Sequence, residues 1–333
     1  MRLSKGIFVK IALLVTLILL ASLFATLDFK KIYGILGQAN FFWLFAALNT
    51  LFLELILKAL RLKALIAPHG KSSLKDNLII TLIGLPFGTV TPGRVGDFAK
   101  IYALSRKTSL SIAKGLAIGI LEKLLDFISL LIFAAAGIAA LFFSRRLNFD
   151  FSYSIFLSFF LLAFLVLFFN KKFLKKTLNL VYGKFVPSKQ KARLQNGFEE
   201  FSAVMSAAFR EKTSLAISFG VAFLLWLNRL LRIYFLALSI GITAEFIYFI
   251  LLIPIIELVE ILPISIMGFG TREYAYLLLF SIAGVSKESA VALSLLTFIA
   301  TAIPFSVFGY VAALKEHSLN NTENGNTENS SLC

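Results

Sequence analysis

Charged residues occur in pairs inside several apolar stretches of the chain. Each pair is spaced three or four residues apart, so its two side chains share one face of a helix. The pairs are Glu122 with Asp126, Glu257 with Glu260, and Arg229 with Arg232. A charge at the middle of a membrane span costs about 2.5–3.5 kcal/mol on the insertion scale, so it must face a protein interior or a wet cavity. The pairs predict either a charged cavity for a lipid headgroup or ion-coupled substrate, or structural ion pairs.

Two breaks in the apolar sequence carry a second kind of chemistry. They read "VTPGRVGDFAK" at residues 90–100 and "PISIMGFGTREYAY" at residues 263–276. In each break Gly and Pro stop one helix, and an acid-aromatic-Ala run can begin the next. Backbone N–H groups at a helix start can bind an anion such as a phosphate, and an arginine adds forked donors that suit phosphate. Arg94 and Arg272 are therefore candidate ligands of a headgroup phosphate.

The same breaks have a structural alternative, in which the charged residues satisfy each other at the membrane interface. Arg94 would then pair with Asp97, and Arg272 with Glu273. The similarity of "RVGDFA" to "GTREYA" is also compatible with an internal repeat, because paired Gly/Pro-interrupted segments often mark a transporter site. The residues expected to shape the breaks are Pro92, Gly93, Gly96, Pro263, Gly268 and Gly270.

A third charged group lies near the end of the second apolar run, 41–60. Glu54, Lys58 and Arg61 form a ladder at i, i+4 and i+7. Its position near the end of the run predicts an interfacial salt bridge, with the basic side chains extended toward the headgroups.

The composition predicts that helices position all these groups. Of 333 residues, 59% are hydrophobic and 15% are charged, against about a quarter charged in soluble domains. Runs long enough to span a bilayer occupy 7–27, 41–60, 115–143, 151–169, 214–241, 246–262 and 289–314. Shorter runs at 78–90 and 274–284 adjoin the breaks. The predicted fold is an all-α polytopic membrane bundle of about seven spans plus one or two re-entrant hairpins.

Basic residues set the predicted orientation. They concentrate in 58–77, 94–114 and 170–213, which places these loops and the N-terminus in the cytoplasm of a plasma-membrane protein. The run 78–90 must then dip in and return, and its irregular backbone must face protein or a water-filled cavity. Segment 170–213 should form an amphipathic helix on the inner surface. Residues 1–315 form the membrane domain, and the polar tail 316–333 is predicted to be disordered.

The sequence lacks the residues that other classes of function require. The net charge of +15 is explained by cytoplasmic loops and anionic lipids rather than by nucleic acid. One Cys and two distant His residues argue against a disulfide, a Cys cluster or a His metal site. Nucleotide-loop and hydrolase motifs are missing, so we expect no cofactor and no metal.

The breaks and the helix between them resemble the lysylphosphatidylglycerol synthase transmembrane family, also described as flippase-like or UPF0104-type membrane proteins. Three motifs carry the resemblance: P-x-R-x-G-[ED], E-[RK]-x-x-D and P-x-S-x-x-G-x-G-x-R-E. They match Pro92, Arg94, Gly96 and Asp97; Glu122, Lys123 and Asp126; and Pro263, Ser265, Gly268, Gly270, Arg272 and Glu273. Arg61 matches a basic position after the second span, and the first motif has Asp97 where Glu is commoner.

The resemblance implies the membrane module alone, which moves a lipid between leaflets, and it does not imply lysyl transfer. We therefore expect translocation of a polar or phosphorylated lipid rather than catalysis. Arg94 and Arg272 would bind phosphate, and the paired acids would line the cavity. One alternative is a non-catalytic subunit that anchors or regulates a lipid-modifying glycosyltransferase through 170–213. Another, less favoured, is a membrane transferase that uses Asp97 or Glu273 as a base.

Overall fold

The computed structural model describes residues 5–90, 99–143, 191–261, 265 and 268–330, and every regular element among them is helical. The helices are α1 Lys5–Thr26, α2 Phe29–Gly37, α3 Phe41–Ile66, α4 Leu74–Val90, α5 Lys100–Thr108, α6 Ile112–Phe143, α7 Lys191–Arg210, α8 Lys212–Ser239, α9 Phe246–Ile261, α10 Thr271–Phe280 and α11 Lys287–Ser330. A short 3-10 turn at Ser281–Ala283 joins the last two. The predicted all-α membrane fold is confirmed.

Candidate membrane spans are present in the described part of the chain. By length and composition, α3, α8 and α11 can each cross a membrane, and α1 with α2 makes a fourth if this pair, bent by 84°, counts as one span. The described part of the chain thus supports three to four of the predicted seven. Predicted span 115–143 falls in the 32-residue α6, which carries four charged residues, and 246–262 falls in α9, which has only 16 residues. Predicted span 151–169 lies outside the described residues.

Helices α4 and α5 form the hairpin predicted at the first break. Lys107 near the end of α5 lies 3.9 Å from Asp76 at the start of α4, so the chain returns to the end of the bundle from which it left. Gly70, before α4, likewise lies beside Leu110, after α5. The turn at 91–98 lies outside the described residues, and with it Pro92, Gly93, Arg94, Gly96 and Asp97.

The predicted cytoplasmic loops meet at one end of the bundle, which we call the basic end. Ser214 at the start of α8 donates to the carbonyl of Ala64 near the end of α3 (2.5 Å). Ser111 before α6 bonds Glu200 of α7. At the opposite end, the Asn40 N–H donates to the Ser239 carbonyl (2.7 Å). The grouping of the basic loops follows the prediction, although 144–190 lies outside the described residues.

Helix α7 corrects one detail of that prediction. The expected amphipathic helix is present, but its apolar face is covered by protein. Phe201, Val204, Met205 and Ala208 are buried, in one cluster with residues of α3, α5 and α6. A helix with a continuous apolar stripe gains by packing on any apolar neighbour, and here the bundle provides that neighbour.

The tail also differs from its prediction, because α11 continues to Ser330 where the sequence indicated disorder from 316. A polar composition does show that a segment cannot build its own core. It does not stop a helix that has already begun, since each added residue gains a hydrogen bond without a new nucleation cost.

Two apolar clusters flank the charged residues. One lies toward the basic end and includes Leu62, Leu121 and Ala222. The other lies further along the same helices and includes Leu130 and Leu230. Helices α3, α6 and α8 run through both clusters, so their charged residues are held in a polar layer between them.

Candidate functional site

The polar layer is organised around Arg61 of α3, which is 3% exposed. Its guanidinium pairs with Asp126 of α6 through Nη1 and lies 3.5 Å from Glu122 through Nη2. Glu122 and Asp126 face the same arginine because they are one helical turn apart. The Nε–H of Arg61 is buried and has no acceptor among the described residues.

Lys100 connects the hairpin to this group. It is the first residue of α5, and its Nζ pairs with Glu122. Glu122 is therefore shared by a lysine from the hairpin and an arginine from α3. Its side chain is 3% exposed, whereas that of Asp126 is 34% exposed, so Asp126 is the acid of this group more open to an entering molecule.

A second set of ion pairs lies deeper along α3 and α8. Glu54, 3% exposed, bonds Arg232 of α8 and accepts from Lys58 at 2.8 Å. Arg229 lies 3.0 Å from Glu257 of α9 and covers the ring of Trp226 at 4.9 Å. Buried carboxylates persist only when paired and hydrogen-bonded, and each of these ion pairs joins different helices except Lys58 with Glu54.

These groups surround a cavity of about 50 Å³. Side chains of α3, α4, α5, α6 and α8 form its wall, with Thr81, Gly84 and Leu85 as the contribution of α4. By the space that one water occupies, it admits roughly three to five water-sized groups. Glu54 lies about 18 Å along α3 from the last residue of that helix, at a rise of 1.5 Å per residue. The cavity is thus well inside the bundle.

The charges on the wall do not cancel. The acids are Glu54, Glu122 and Asp126, and the bases are Lys58, Arg61, Lys100, Lys123 and Arg229. Arg232 and Glu257, which stand behind the wall, add one charge of each sign. The described cavity therefore carries an excess of two positive charges, which favours an anionic ligand.

The second break builds a different site. Arg272 donates through Nη2 to Glu273 at 2.5 Å and through Nε to Ser294 of α11 at 3.0 Å. The rings of Phe298 and Phe269 lie 4.6 and 5.7 Å from its guanidinium carbon. Both charged side chains are buried. The structural alternative, in which Arg272 and Glu273 satisfy each other, is what the structure contains, although inside the protein rather than at the interface.

Glu273 also sets the start of α10. Its Oε2 accepts the Gly270 N–H at 2.7 Å, which satisfies a donor that a helix start leaves without a partner. Gly270 has φ of 83°, a backbone conformation that costs other residues about 1–2 kcal/mol. A Cβ there would also lie 2.6 Å from Leu19 of α1. Gly270 therefore fixes both the turn and the approach of α1.

The predicted site residues separate into three groups. Glu122, Asp126 and Arg229 line the cavity, with Arg232 and Glu257 behind them. Arg272, Glu273, Gly268 and Gly270 belong to the second break, and Glu260 approaches Gly268 there. Arg94, Asp97, Pro92, Gly93, Gly96 and Pro263 lie outside the described residues. Glu257, Glu260 and Arg272 are not among the described residues on the wall of this cavity.

For several residues of the cavity, the sequence did not predict the position that the structure shows. Arg61 was expected to extend toward the headgroups, yet it is buried between α3 and α6. Glu54 and Arg61 are seven residues apart and so share a face, a signal that agrees with an inward position. Lys100 gave no such signal, because only the return of the hairpin brings it to Glu122. Lys123, next to Glu122 in α6, also lines the cavity.

Metal binding finds no support in the described part of the chain, where no three His, Cys, Asp or Glu side chains are close enough to hold an ion. The arrangement can bind a polar or anionic group through its bases.

A match over most of its length links the chain to known proteins. A family model described as "Lysylphosphatidylglycerol synthase TM region" matches residues 7–309. The chain belongs to this family. The lysylphosphatidylglycerol synthase TM-region match covers the cavity, the second break and the span that follows it, and it confirms the resemblance seen in the sequence.

Individual members support the assignment. A UPF0104 membrane protein of Methanocaldococcus jannaschii is 24% identical over 318 residues, which is 91% of this chain and 94% of that protein. A UPF0104 membrane protein of Methanothermobacter thermautotrophicus is 26% identical over 114 residues, 34% of this chain and 32% of that protein. The first alignment shows that the chain shares nearly the whole length of a family member.

Proposed function

We propose that this family member translocates a lipid with a phosphate-bearing headgroup between membrane leaflets and is not an enzyme. The observation that carries the proposal is the buried cavity with its excess of two positive charges, placed among helices long enough to span a membrane. Charged groups at that depth cost several kcal/mol unless they face a cavity or each other. An anionic headgroup would be attracted by the basic side chains of this wall.

The orientation is part of the proposal. The basic end would face the cytoplasm of a plasma-membrane protein, following the positive-inside rule. The headgroup would enter from that side, because the α4–α5 hairpin begins and ends there and Lys100 joins it to the cavity.

Movement would require exchange of ion-pair partners. A headgroup phosphate that enters beside Asp126 would compete with its carboxylate for Arg61. Because each main pair joins two helices, such exchange would release α6 from α3, or α5 from α6. Binding energy would then be coupled to helix displacement, as a two-state transporter requires.

The test is lipid translocation in liposomes reconstituted with the full chain. Fluorescent phospholipids in the inner leaflet would be followed as they become accessible to a membrane-impermeant quencher. We compare Lys100→Gln with Lys31→Gln, because each change removes one lysine that pairs with a glutamate. Only Lys100 lines the cavity. We expect a rate at least about tenfold lower for Lys100→Gln and an unchanged rate for Lys31→Gln.

Three results would decide between the alternatives. An equal loss of translocation rate in Lys100→Gln and Lys31→Gln would show that the cavity has no specific role in transport. No movement by the folded wild-type protein would overturn translocation, and copurification with a glycosyltransferase would then favour the accessory-subunit alternative. Formation of a modified lipid from a soluble donor would favour a transferase.

A further inference from the structure

The end of the bundle opposite the basic end, which we call the far end, carries a surface that belongs neither to the cavity nor to the second break. We propose that α2 lies flat in the membrane interface at this end. Its aromatic face would contact the headgroup–acyl boundary of that leaflet, and its lysine face would point toward water. The surface does not depend on which lipid the cavity transports.

Contacts on both sides of α2 keep it at the far end. Just before α2, the carbonyl of Thr26 at the end of α1 accepts from Lys287, the first residue of α11 (2.8 Å). Just after α2, the Asn40 N–H bonds the carbonyl of Ser239 at the end of α8 (2.7 Å). Two residues separate α1 from α2, and three separate α2 from α3. The chain therefore enters and leaves α2 at the same end of the bundle.

The axis of α2 is turned away from the direction of the spans. It makes an angle of 84° with α1, and its 9 residues extend roughly 13 Å at a rise of 1.5 Å per residue. Helix α1 has 22 residues, which is enough to cross the hydrocarbon core. A helix perpendicular to a span is parallel to the bilayer plane, and at the end of the bundle that plane is the interface.

The side chains divide α2 into three faces. Ile32 is buried in a cluster with residues of α1 and α11, so its face contacts the protein. Phe29 and Tyr33 are one turn apart, and both are exposed, Tyr33 by 80%. Lys30, also exposed, lies about 100° around the helix from Phe29. Interfacial helices have such an arrangement, with aromatic side chains toward the acyl region and lysines toward water.

The aromatic face of α2 is continuous with the outer surface of α1. The ring of Phe29 stacks on Phe24 of α1, with centroids 4.5 Å apart. Phe24 is exposed, as is Leu17 further along the same helix. Phe41 at the start of α3 is also exposed at the far end. Large exposed apolar surfaces mark contact with a partner or a membrane. Because these rings adjoin the lipid-facing side of a span, we assign them to the membrane.

The test measures the depth of spin labels on the full chain in phosphatidylcholine liposomes. Cys333 is the one cysteine of the chain, so a Cys333→Ser background permits single labels through Tyr33→Cys, Lys30→Cys and Leu17→Cys. Power saturation compares the access of oxygen, which concentrates in the hydrocarbon, with that of a water-soluble nickel complex. We expect the oxygen-to-nickel ratio to be highest at position 17, intermediate at 33 and lowest at 30. Position 33 should lie about 5–10 Å inside the interface.

Three results would overturn the proposal. Equal depth at positions 17 and 33 would show that α2 continues into the hydrocarbon. Full nickel access at both 30 and 33 would show that α2 stands in water. Dipolar broadening at position 33 that disappears on dilution with unlabelled protein would show that a second copy covers the aromatic face. If Tyr33→Cys does not fold, Phe41→Cys places the label on a neighbouring aromatic ring position, where we expect the same depth. Each of these readouts is independent of translocation.

Discussion

The cavity and the second break both bury an arginine against a carboxylate, but the partners come from different places. In the break, Arg272 pairs with the next residue in the chain, and Ser294 and two aromatic rings enclose the pair. In the cavity, Arg61 of α3 depends on two acids of α6. The break is therefore balanced within one helix start, whereas the cavity is balanced only by the packing of several helices.

This difference distinguishes the second break, whose ion pair is structural, from the cavity, whose ion pairs can exchange partners. An ion pair between adjacent residues cannot be separated by moving helices apart, and Glu273 additionally caps α10. Ion pairs that join two helices hold those helices in fixed relative positions. An entering anion can compete with the carboxylates for the basic side chains of these pairs. Of these two sites, only the cavity has more basic than acidic side chains on its described wall. We therefore expect variants in the break to change stability, and variants in the cavity to change transport as well.

The largest effect is expected for Arg61→Ala. The change leaves the buried Glu122 and the partly exposed Asp126 with less compensation, and loss of one partner from a buried ion pair costs about 3–5 kcal/mol. Translocation should fall to the level of protein-free liposomes. Unfolding in mixed micelles, followed by tryptophan fluorescence, measures the first effect, and the quencher assay measures the second.

Arg61→Lys is the control for charge. Lysine keeps a positive charge but lacks the fork that contacts two carboxylates at once, so stability should recover in part. If Arg61→Ala transports lipid at the wild-type rate per folded molecule, the distinction between the two sites is lost.

Glu273→Ala should give the second-largest effect. Arg272 loses its carboxylate and the Gly270 N–H loses its acceptor, so we expect destabilisation of about 3–4 kcal/mol. Translocation per folded molecule should remain near wild type, because Glu273 does not line the cavity. The unfolding and quencher assays on the same preparation test both statements.

Glu273→Gln refines this prediction. A glutamine oxygen can still accept from Gly270, but it does not neutralise Arg272, so the loss of stability should be smaller than for alanine. Reduced transport in both variants, at unchanged stability, would instead assign the second break to the transport path.

Local sequence predicted the break better than the cavity. Gly268, Gly270, Arg272 and Glu273 lie within six residues, so their interactions depend on the turn that the glycines permit, and the pairing of Arg272 with Glu273 that the sequence offered as one alternative is present. The helical fold likewise followed from apolar length, because a membrane allows few alternatives to helices.

The cavity could be predicted only in part. The spacing of Glu122 and Asp126 showed that they share a face, and that inference holds. No spacing within α6 could show that Arg61 of α3 and Lys100 of α5 complete the group, because such contacts depend on how helices pack and where the hairpin returns. For the same reason, spacing alone placed Glu257 on the cavity wall. In the structure Glu257 contacts Arg229, which is itself on that wall.

Gly270→Ala should destabilise the protein by about 2–3 kcal/mol, less than the loss of Glu273. The left-handed backbone contributes about 1–2 kcal/mol, and the contact of the new Cβ with Leu19 adds strain from overpacking. Gly284→Ala is a control for positive φ, since Gly284 has φ of 72° but nothing within 4 Å of the new Cβ. A larger loss for Gly270→Ala would combine the Leu19 contact with the different ψ of Gly270, −54° against 15°, and equal losses would show that α1 adjusts freely.

Lys31→Gln should have the smallest effect, below about 1 kcal/mol, because exposed ion pairs contribute little to stability. The Lys31 side chain is 56% exposed and lies 3.4 Å from Glu288. Glu288 is buried but keeps Lys287 at 3.9 Å, so the change does not strand a carboxylate. Translocation and unfolding should both match wild type, measured beside Lys100→Gln. If Lys31→Gln instead slows translocation as much as Lys100→Gln does, removal of any lysine affects transport, and the special role of the cavity charges is rejected.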